Sequence, residues 1–188
     1  MILQKSDPHC MAAVAEALCG GKVVIIPTDT VYGFSGLVPA SLAAIKRIKG
    51  RDEHKPFIQL IADPQDIALY SATFIPEAVR SRMPGALTVI VYTGISAYSE
   101  TETTAFRCPD DDWLRSLIRL CKAPLYSTSV NRSGCPLVSD IEIMEAEFGR
   151  EVFCVVDGGP QKQALASTIV DLSGGELKIL RQGTVYIS

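Results

Sequence analysis

Histidine is scarce in this sequence, with two residues in 188, and the six cysteines (Cys10, Cys19, Cys108, Cys121, Cys135, Cys154) include no CxxC pair. Zinc sites need clustered Cys and His ligands, so no metal-ligating residues are assigned. The same scarcity argues against Cys135 as a nucleophile, because no histidine stands near it in sequence. No apolar run approaches the length of a membrane span. There is no basic excess either. The formal net charge is −3 and no tail is rich in Lys or Arg, which weighs against binding nucleic acid by charge alone. Also missing are a GxxxxGK[ST] loop, a GxGxxG turn after a strand and a GxSxG elbow. No signal peptide is recognised. These absences lead us to expect a soluble, cytoplasmic protein with reduced, mostly buried thiols and no membrane partner.

A hydrophobic content of 47% and a charged content of 21% are ordinary for a globular chain, and 188 residues suit a single domain, 1–188, burying roughly 70% of its unfolded surface. Helical spacing marks residues 8–18, stopped by Gly20-Gly21. A strand is expected at 22–27. A helix capped by Ser41 and ended by Gly50 should follow. PFIQLIA (56–62) reads as a strand, and Asp63-Pro64 opens a helix over QDIALYS. Further elements are a short helix at 76–83, strands at 86–92 and 104–108, and a helix over WLRSLIRLCK behind three aspartates. Then come a strand at 124–130, a helix near 139–148, and four late strands in VFCVVD, STIVDL, LKILRQ and TVYI. The segment at 93–104, rich in Thr, Ser and Glu, reads as exposed and mobile. The pattern implies an α/β fold, a mixed sheet with helices on its faces.

Polar residues concentrate where strands end. IPTDTVYG (26–33) follows an apolar run with two threonines, an aspartate and a tyrosine, and suits either an ordinary turn or the rim of a site. IKRIKGRDEHKPF places Lys49, Arg51 and Lys55 at a helix-to-strand junction, where cations can meet phosphate or carboxylate; a solvated helix end is the plainer reading. LYSTSVNRSG (125–134) runs a strand into small donors, which suits an anion pocket or a self-capped turn. Arg107, in FRCP, and Arg181, in LRQG, stand among apolar strand residues. They would pair with a carboxylate such as Asp157 or Asp171, or reach a ligand. Together these clusters point to an anionic, oxygen-rich ligand such as a nucleotide.

In order, PTDTVYG, KGRDEHKPF, PGALT, FRCP, STSVNRSG, STIVDL and LRQG resemble the motifs of the YrdC/TsaC family over about residues 10–185. The resemblance implies a YrdC-like twisted mixed sheet with flanking helices around a positively lined concave cavity. It also implies synthesis of L-threonylcarbamoyl-AMP from L-threonine, bicarbonate and ATP, with release of pyrophosphate. The product would serve N6-threonylcarbamoylation of tRNA adenosine by a downstream transferase complex. By position, Thr28, Thr30, Tyr32, Arg107, Ser127 and Ser167 would hold L-threonine. Lys49, Arg51, Lys55, Thr103, Ser129, Asn131 and Arg181 would hold ATP, with Lys49 and Arg51 the catalytic cations. Mg²⁺ would arrive with ATP. Leu60 stands where some members carry a histidine near threonine. With LRQG close to the end of the chain, the further domain of longer relatives is not expected. Contact with tRNA should be weak or indirect, and the chain a monomer or weak dimer. The alternatives are a non-catalytic RNA-binding module of the same fold and a paralogue lacking the activity.

Overall fold

Short β-branched runs alternating with helices build the sheet that organises this chain. A computed structural model describes residues 1–50, 57–96, 98–99, 101–160 and 166–187. Its strands are β1 (Ile2–Gln4), β2 (Val24–Ile26), β3 (Gly33–Leu37), β4 (Ile58–Leu60), β5 (Leu87–Tyr92), β6 (Thr103–Arg107), β7 (Leu125–Ser129), β8 (Val155–Asp157), β9 (Thr168–Asp171) and β10 (Lys178–Arg181). Among the described residues they form one sheet in the order β1-β8-β2-β3-β7-β4-β6-β5-β9-β10. Parallel pairs such as β4–β6 and β5–β9 mix with antiparallel pairs such as β3–β7 and β4–β7. The expected mixed sheet is what the chain forms.

Because strand side chains alternate between faces, the VVII run feeds both sides of the sheet. Val24 and Ile26 join Leu60 and Leu125 beneath α1 (Cys10–Cys19) and α4 (Asp112–Cys121), which contribute Val14, Leu18, Leu114 and Leu117. Ile25, Phe34, Tyr126 and Val155 face the other way. They pack against Ile45 and Ile48 of α2 (Leu42–Lys49) and Met144 and Phe148 of α5 (Ile141–Phe148). Phe34 and Phe148 meet edge to face, with ring centroids 5.0 Å apart. A third cluster joins Leu87, Val89, Phe106 and Val170 to Ile67 and to Val79 of α3 (Glu77–Arg80). Each fully buried side chain of this size contributes roughly 1.5–3 kcal/mol.

The expected acidic start of α4 forms, with Asp111 accepting from the Leu114 amide at 2.9 Å, and Asp140 likewise caps α5 by accepting from the Ile143 amide at 3.0 Å. Gly50 ends α2 in the left-handed conformation. Other expectations change. Ser41 stands at the N-cap of α2, but its hydroxyl donates to Gly21 O (3.4 Å) and makes no cap bond. The Asp63-Pro64 helix is a 3-10 turn over Pro64–Leu69, held by reciprocal bonds between Asp63 and Asp66. TVYI forms no strand. There the Val185 carbonyl is taken by Thr168 Oγ1 (2.7 Å) and Gln182 Nε2 (2.9 Å), so side chains replace a ladder.

β3, unforeseen in the sequence, is GFSGL, whose glycines and serine hide its strand character. Gly36 is required by close packing, since a Cβ there would lie 2.3 Å from Ser41 Cβ. Gly36→Ala is therefore expected to cost about 1–3 kcal/mol in overpacking, read as a lower urea midpoint with unchanged slope.

Among the described residues of 93–104, Ile95, Ser96, Tyr98, Thr101 and Glu102 are exposed, as expected. Thr93 and Gly94 amides donate to Glu102 O at 2.8 and 3.1 Å, and Ser99 and Thr104 are buried. Tyr98 O accepts from buried Gln59 at 2.6 Å, beside a cavity of about 170 Å³ walled by Tyr70, Tyr98 and Phe106. Gln59 and Phe106 are register partners, and strand alternation puts them on the face opposite Leu60 and Arg107.

Candidate functional site

Residues 27–32 join β2 to β3, whose Ile26 and Gly33 are register partners. This loop is fastened from within. Thr28 Oγ1 donates to Val31 O (2.8 Å), accepts from the amides of Thr30 (3.1 Å) and Val31 (3.2 Å), and lies 3.0 Å from Thr30 Oγ1. It is a turn-forming hydroxyl as much as a rim group. Tyr32 is buried in the core, and its hydroxyl donates to Gly159 O (2.9 Å) and accepts from Gly158 N (3.0 Å). Of the three residues expected to hold threonine from this stretch, Thr30 reaches the other site residues directly.

That reach is to Arg107, at the end of β6. Its Nη1 donates to Thr30 Oγ1 at 2.8 Å, its Nη2 to Asp29 Oδ1 at 2.6 Å and its Nε to Gly85 O at 3.2 Å. The Arg107 side chain is 6% exposed and that of Asp29 11%. Asp29 Oδ2 accepts from the Asp110 amide at 3.0 Å. The arginine's carboxylate partner is thus Asp29, a residue the sequence left without a site role. Asp157 instead accepts from the Gly159 amide and Gln4 Nε2, and Asp171 from the Ser173 amide. Leu60 registers with Arg107 and packs with Ile26 and Leu125, so the contact beside the arginine is apolar.

Register sets the next group. Gly33 pairs with Ser129 and Ser35 with Ser127, so these residues share the face whose apolar part lies under α1 and α4. A Cβ on Gly33 would stand 3.0 Å from Ser127 Oγ, so glycine keeps that hydroxyl uncrowded. Lys49, buried at the end of α2, donates from Nζ to Ser129 O (2.8 Å) and Asn131 Oδ1 (2.7 Å). Ser129 Oγ donates to the same Asn131 oxygen at 2.7 Å, and Asn131 Nδ2 donates to Cys135 O at 2.7 Å. Three residues expected on the nucleotide side therefore form one network. Arg132, from the same motif, bonds Ile48 O and Glu151 and stacks on Phe148, bracing the helices.

A third group lies across β5. Thr88 Oγ1 and Ser167 Oγ are 2.8 Å apart, and Arg181 donates to Ser167 O (2.9 Å) and Ser167 Oγ (3.2 Å). Gly85 and Thr88, both in PGALT, are the links between Arg107 and Ser167. PGALT is one of the motifs that carry the family resemblance, and none of its residues was among the expected site groups. Thr103 sits on β6 four positions before Arg107 and on the same side by alternation. Arg51 and Lys55 lie outside the described residues. Of the six thiols four are buried, and loss of hydration pushes Cys108, Cys121 and Cys154 up to about 12, which suits inert packing groups.

The Sua5/YciO/YrdC family model, described as telomere recombination, matches residues 16–183. The chain belongs to this family. A bovine relative (Bos taurus) named threonylcarbamoyl-AMP synthase is 32% identical over 186 residues, 92% of this chain and 67% of its own length. A Bacillus subtilis relative of the same name is 32% identical over 195 residues, 97% of this chain and 56% of its own. The crystal structure of P. abyssi Sua5 complexed with L-threonine superposes with a TM-score of 0.84 at 26% identity, covering 97% of this chain and 57% of that one. The chain thus spans a little over half the length of two of these Sua5/YciO/YrdC relatives. The Sua5-like sheet carries all three polar groups described above.

Proposed function

We propose that this chain, acting as a single domain, is an L-threonylcarbamoyladenylate synthase that condenses L-threonine, bicarbonate and Mg²⁺-bound ATP and releases pyrophosphate. One observation carries the reading: buried Lys49 is tied to the Ser129–Asn131 end of β7, and buried Arg107 to Thr30, on strands registered into one sheet. A cation for phosphates and a guanidinium for an amino-acid carboxylate are what this condensation needs. The relatives named threonylcarbamoyl-AMP synthase and the Sua5 complex with L-threonine support it. The product would pass to a tRNA-modifying transferase in the cytoplasm.

The chemistry follows from charge placement. The neutral threonine amine adds to bicarbonate with loss of water to give a carbamate. A carbamate oxygen then bonds to the α-phosphorus as the bond to the β-bridging oxygen breaks, and pyrophosphate leaves with the electron pair. Charge gathers on phosphate oxygens, so preorganised cations supply the rate enhancement and no covalent enzyme intermediate is needed. Lys49 and Arg51 are assigned to that task, with Lys55, Thr103, Ser129, Asn131 and Arg181 along the nucleotide. Arg107, Thr30, Ser127 and Ser167 are assigned to threonine. With Leu60 beside Arg107, discrimination of threonine from serine rests on an apolar pocket for one methyl, worth about 1–3 kcal/mol.

Incubation of the chain with ATP, Mg²⁺, bicarbonate and L-threonine is expected to release pyrophosphate only when threonine is present. Threonine-independent release, or none, would remove the synthase reading. Retention of tRNA without turnover would favour an RNA-binding module.

A further inference from the structure

We propose that Asp29 is a positioning residue, one that sets the orientation and charge of Arg107 so that the guanidinium accepts the amino-acid carboxylate by geometry and not by net attraction. The proposal rests on the assignment of Arg107 to threonine made above.

A guanidinium carries five N–H donors in a fixed fork. In Arg107 three are donated, one each to Gly85 O, Thr30 Oγ1 and Asp29 Oδ1. Among the described residues this leaves one N–H on Nη1 and one on Nη2 with no acceptor. These two unused donors are available to the oxygens of a carboxylate. The side chain is 6% exposed, so these donors are largely screened from bulk water.

Asp29 makes this arrangement possible in two ways. First, its Oδ1 sits 2.6 Å from Nη2. A buried guanidinium without a counter-charge is costly and attracts any small anion; paired, the site is close to neutral and an incoming carboxylate must meet the fork in the right plane. Second, Asp29 cannot swing away, because Oδ2 is held by the Asp110 amide at 3.0 Å. The carboxylate therefore locks the loop at 27–32 to the segment at 107–110 and fixes the plane of the ring of donors between them. Asp29 touches no substrate in this scheme and acts only through Arg107.

The test is calorimetric titration of the full chain with L-threonine and with sodium acetate, alongside steady-state KM values for threonine and ATP. The wild type should bind L-threonine and resist displacement by acetate. Failure to bind threonine would overturn the threonine assignment of Arg107 and this proposal with it. Asp29→Asn keeps the shape but removes the charge. It should cut the preference for L-threonine over acetate about tenfold or more, as expected when the charged hydrogen bond that orients the fork is lost, and leave the KM for ATP unchanged. Asp29→Glu keeps the charge on a longer arm, so it should still exclude acetate while losing several-fold in threonine affinity. A folded Asp29→Asn protein with the wild-type preference for threonine over acetate would overturn the proposal, as would equal rises in both KM values, the mark of a merely structural role. Should Asp29→Asn fail to fold, an unchanged threonine KM in Asp29→Glu would overturn it.

Discussion

Lys49→Ala is expected to lower kcat/KM for ATP by about 10²–10³-fold, the usual effect of deleting one preorganised donor at a developing oxyanion. The size follows from how the ammonium is held. Lys49 is 4% exposed and its Nζ bridges a strand carbonyl, Ser129 O, and a side-chain oxygen, Asn131 Oδ1. Such a cation is placed before substrate arrives and need not reorganise during the reaction. Lys49→Arg should not restore activity, because a planar fork cannot stand between those two acceptors as a compact ammonium does. The fold should survive the alanine change. Asn131 Oδ1 keeps its bond from Ser129 Oγ, and the expected destabilisation is about 1–3 kcal/mol for the acceptor left unmet at Ser129. Steady-state kinetics at saturating threonine, with a thermal melt on the same sample, separates the two effects. Near wild-type kcat/KM in a folded variant would end the phosphate assignment.

The second large effect is on stability as well as turnover. Arg107→Ala leaves Asp29, 11% exposed, as a mostly desolvated carboxylate without its partner, and breaking a buried pair from one side costs about 3–5 kcal/mol. For a chain of this size that is roughly 6–20 °C in Tm. Replacing both residues, Asp29→Ala with Arg107→Ala, should recover part of the loss, because the uncompensated charge is gone. It should not recover threonine-dependent pyrophosphate release. A Tm within a degree of wild type in the single variant would mean the pair is solvated and not buried as described.

Most of the fold could be read locally. Two helices announced themselves through the aspartates at 110–112 and through Gly50, and the apolar runs at 22–27, 86–92 and 124–130 became β2, β5 and β7 with trimmed ends. Where the reading failed, the local signal was outweighed by tertiary contacts. β3 looks like a loop because Gly36 must admit Ser41, a constraint imposed by the approach of α2. TVYI looks like a strand, yet Thr168 and Gln182 take up its carbonyl. Ser41 looks like a cap, but burial turned its hydroxyl toward Gly21.

For the candidate site the division is sharper. Residue types and their order along the chain pointed to an anionic, oxygen-rich ligand, because hydroxyls, arginines and lysines clustered at strand ends have that chemistry wherever they are placed. Sequence could not say which of those groups are already engaged within the protein. Thr28 and Tyr32 carry suitable hydroxyls, yet one fastens its own turn and the other holds Gly158 and Gly159. Asp29 looked like a turn residue until the sheet brought it to Arg107, 78 positions away in the chain. Gly85 and Thr88 gained their linking roles the same way, across β5. Chemistry was written in the residues of IPTDTVYG; partnership was not. The crossing order of the strands and their register decide which donors meet which acceptors, and no local pattern encodes either.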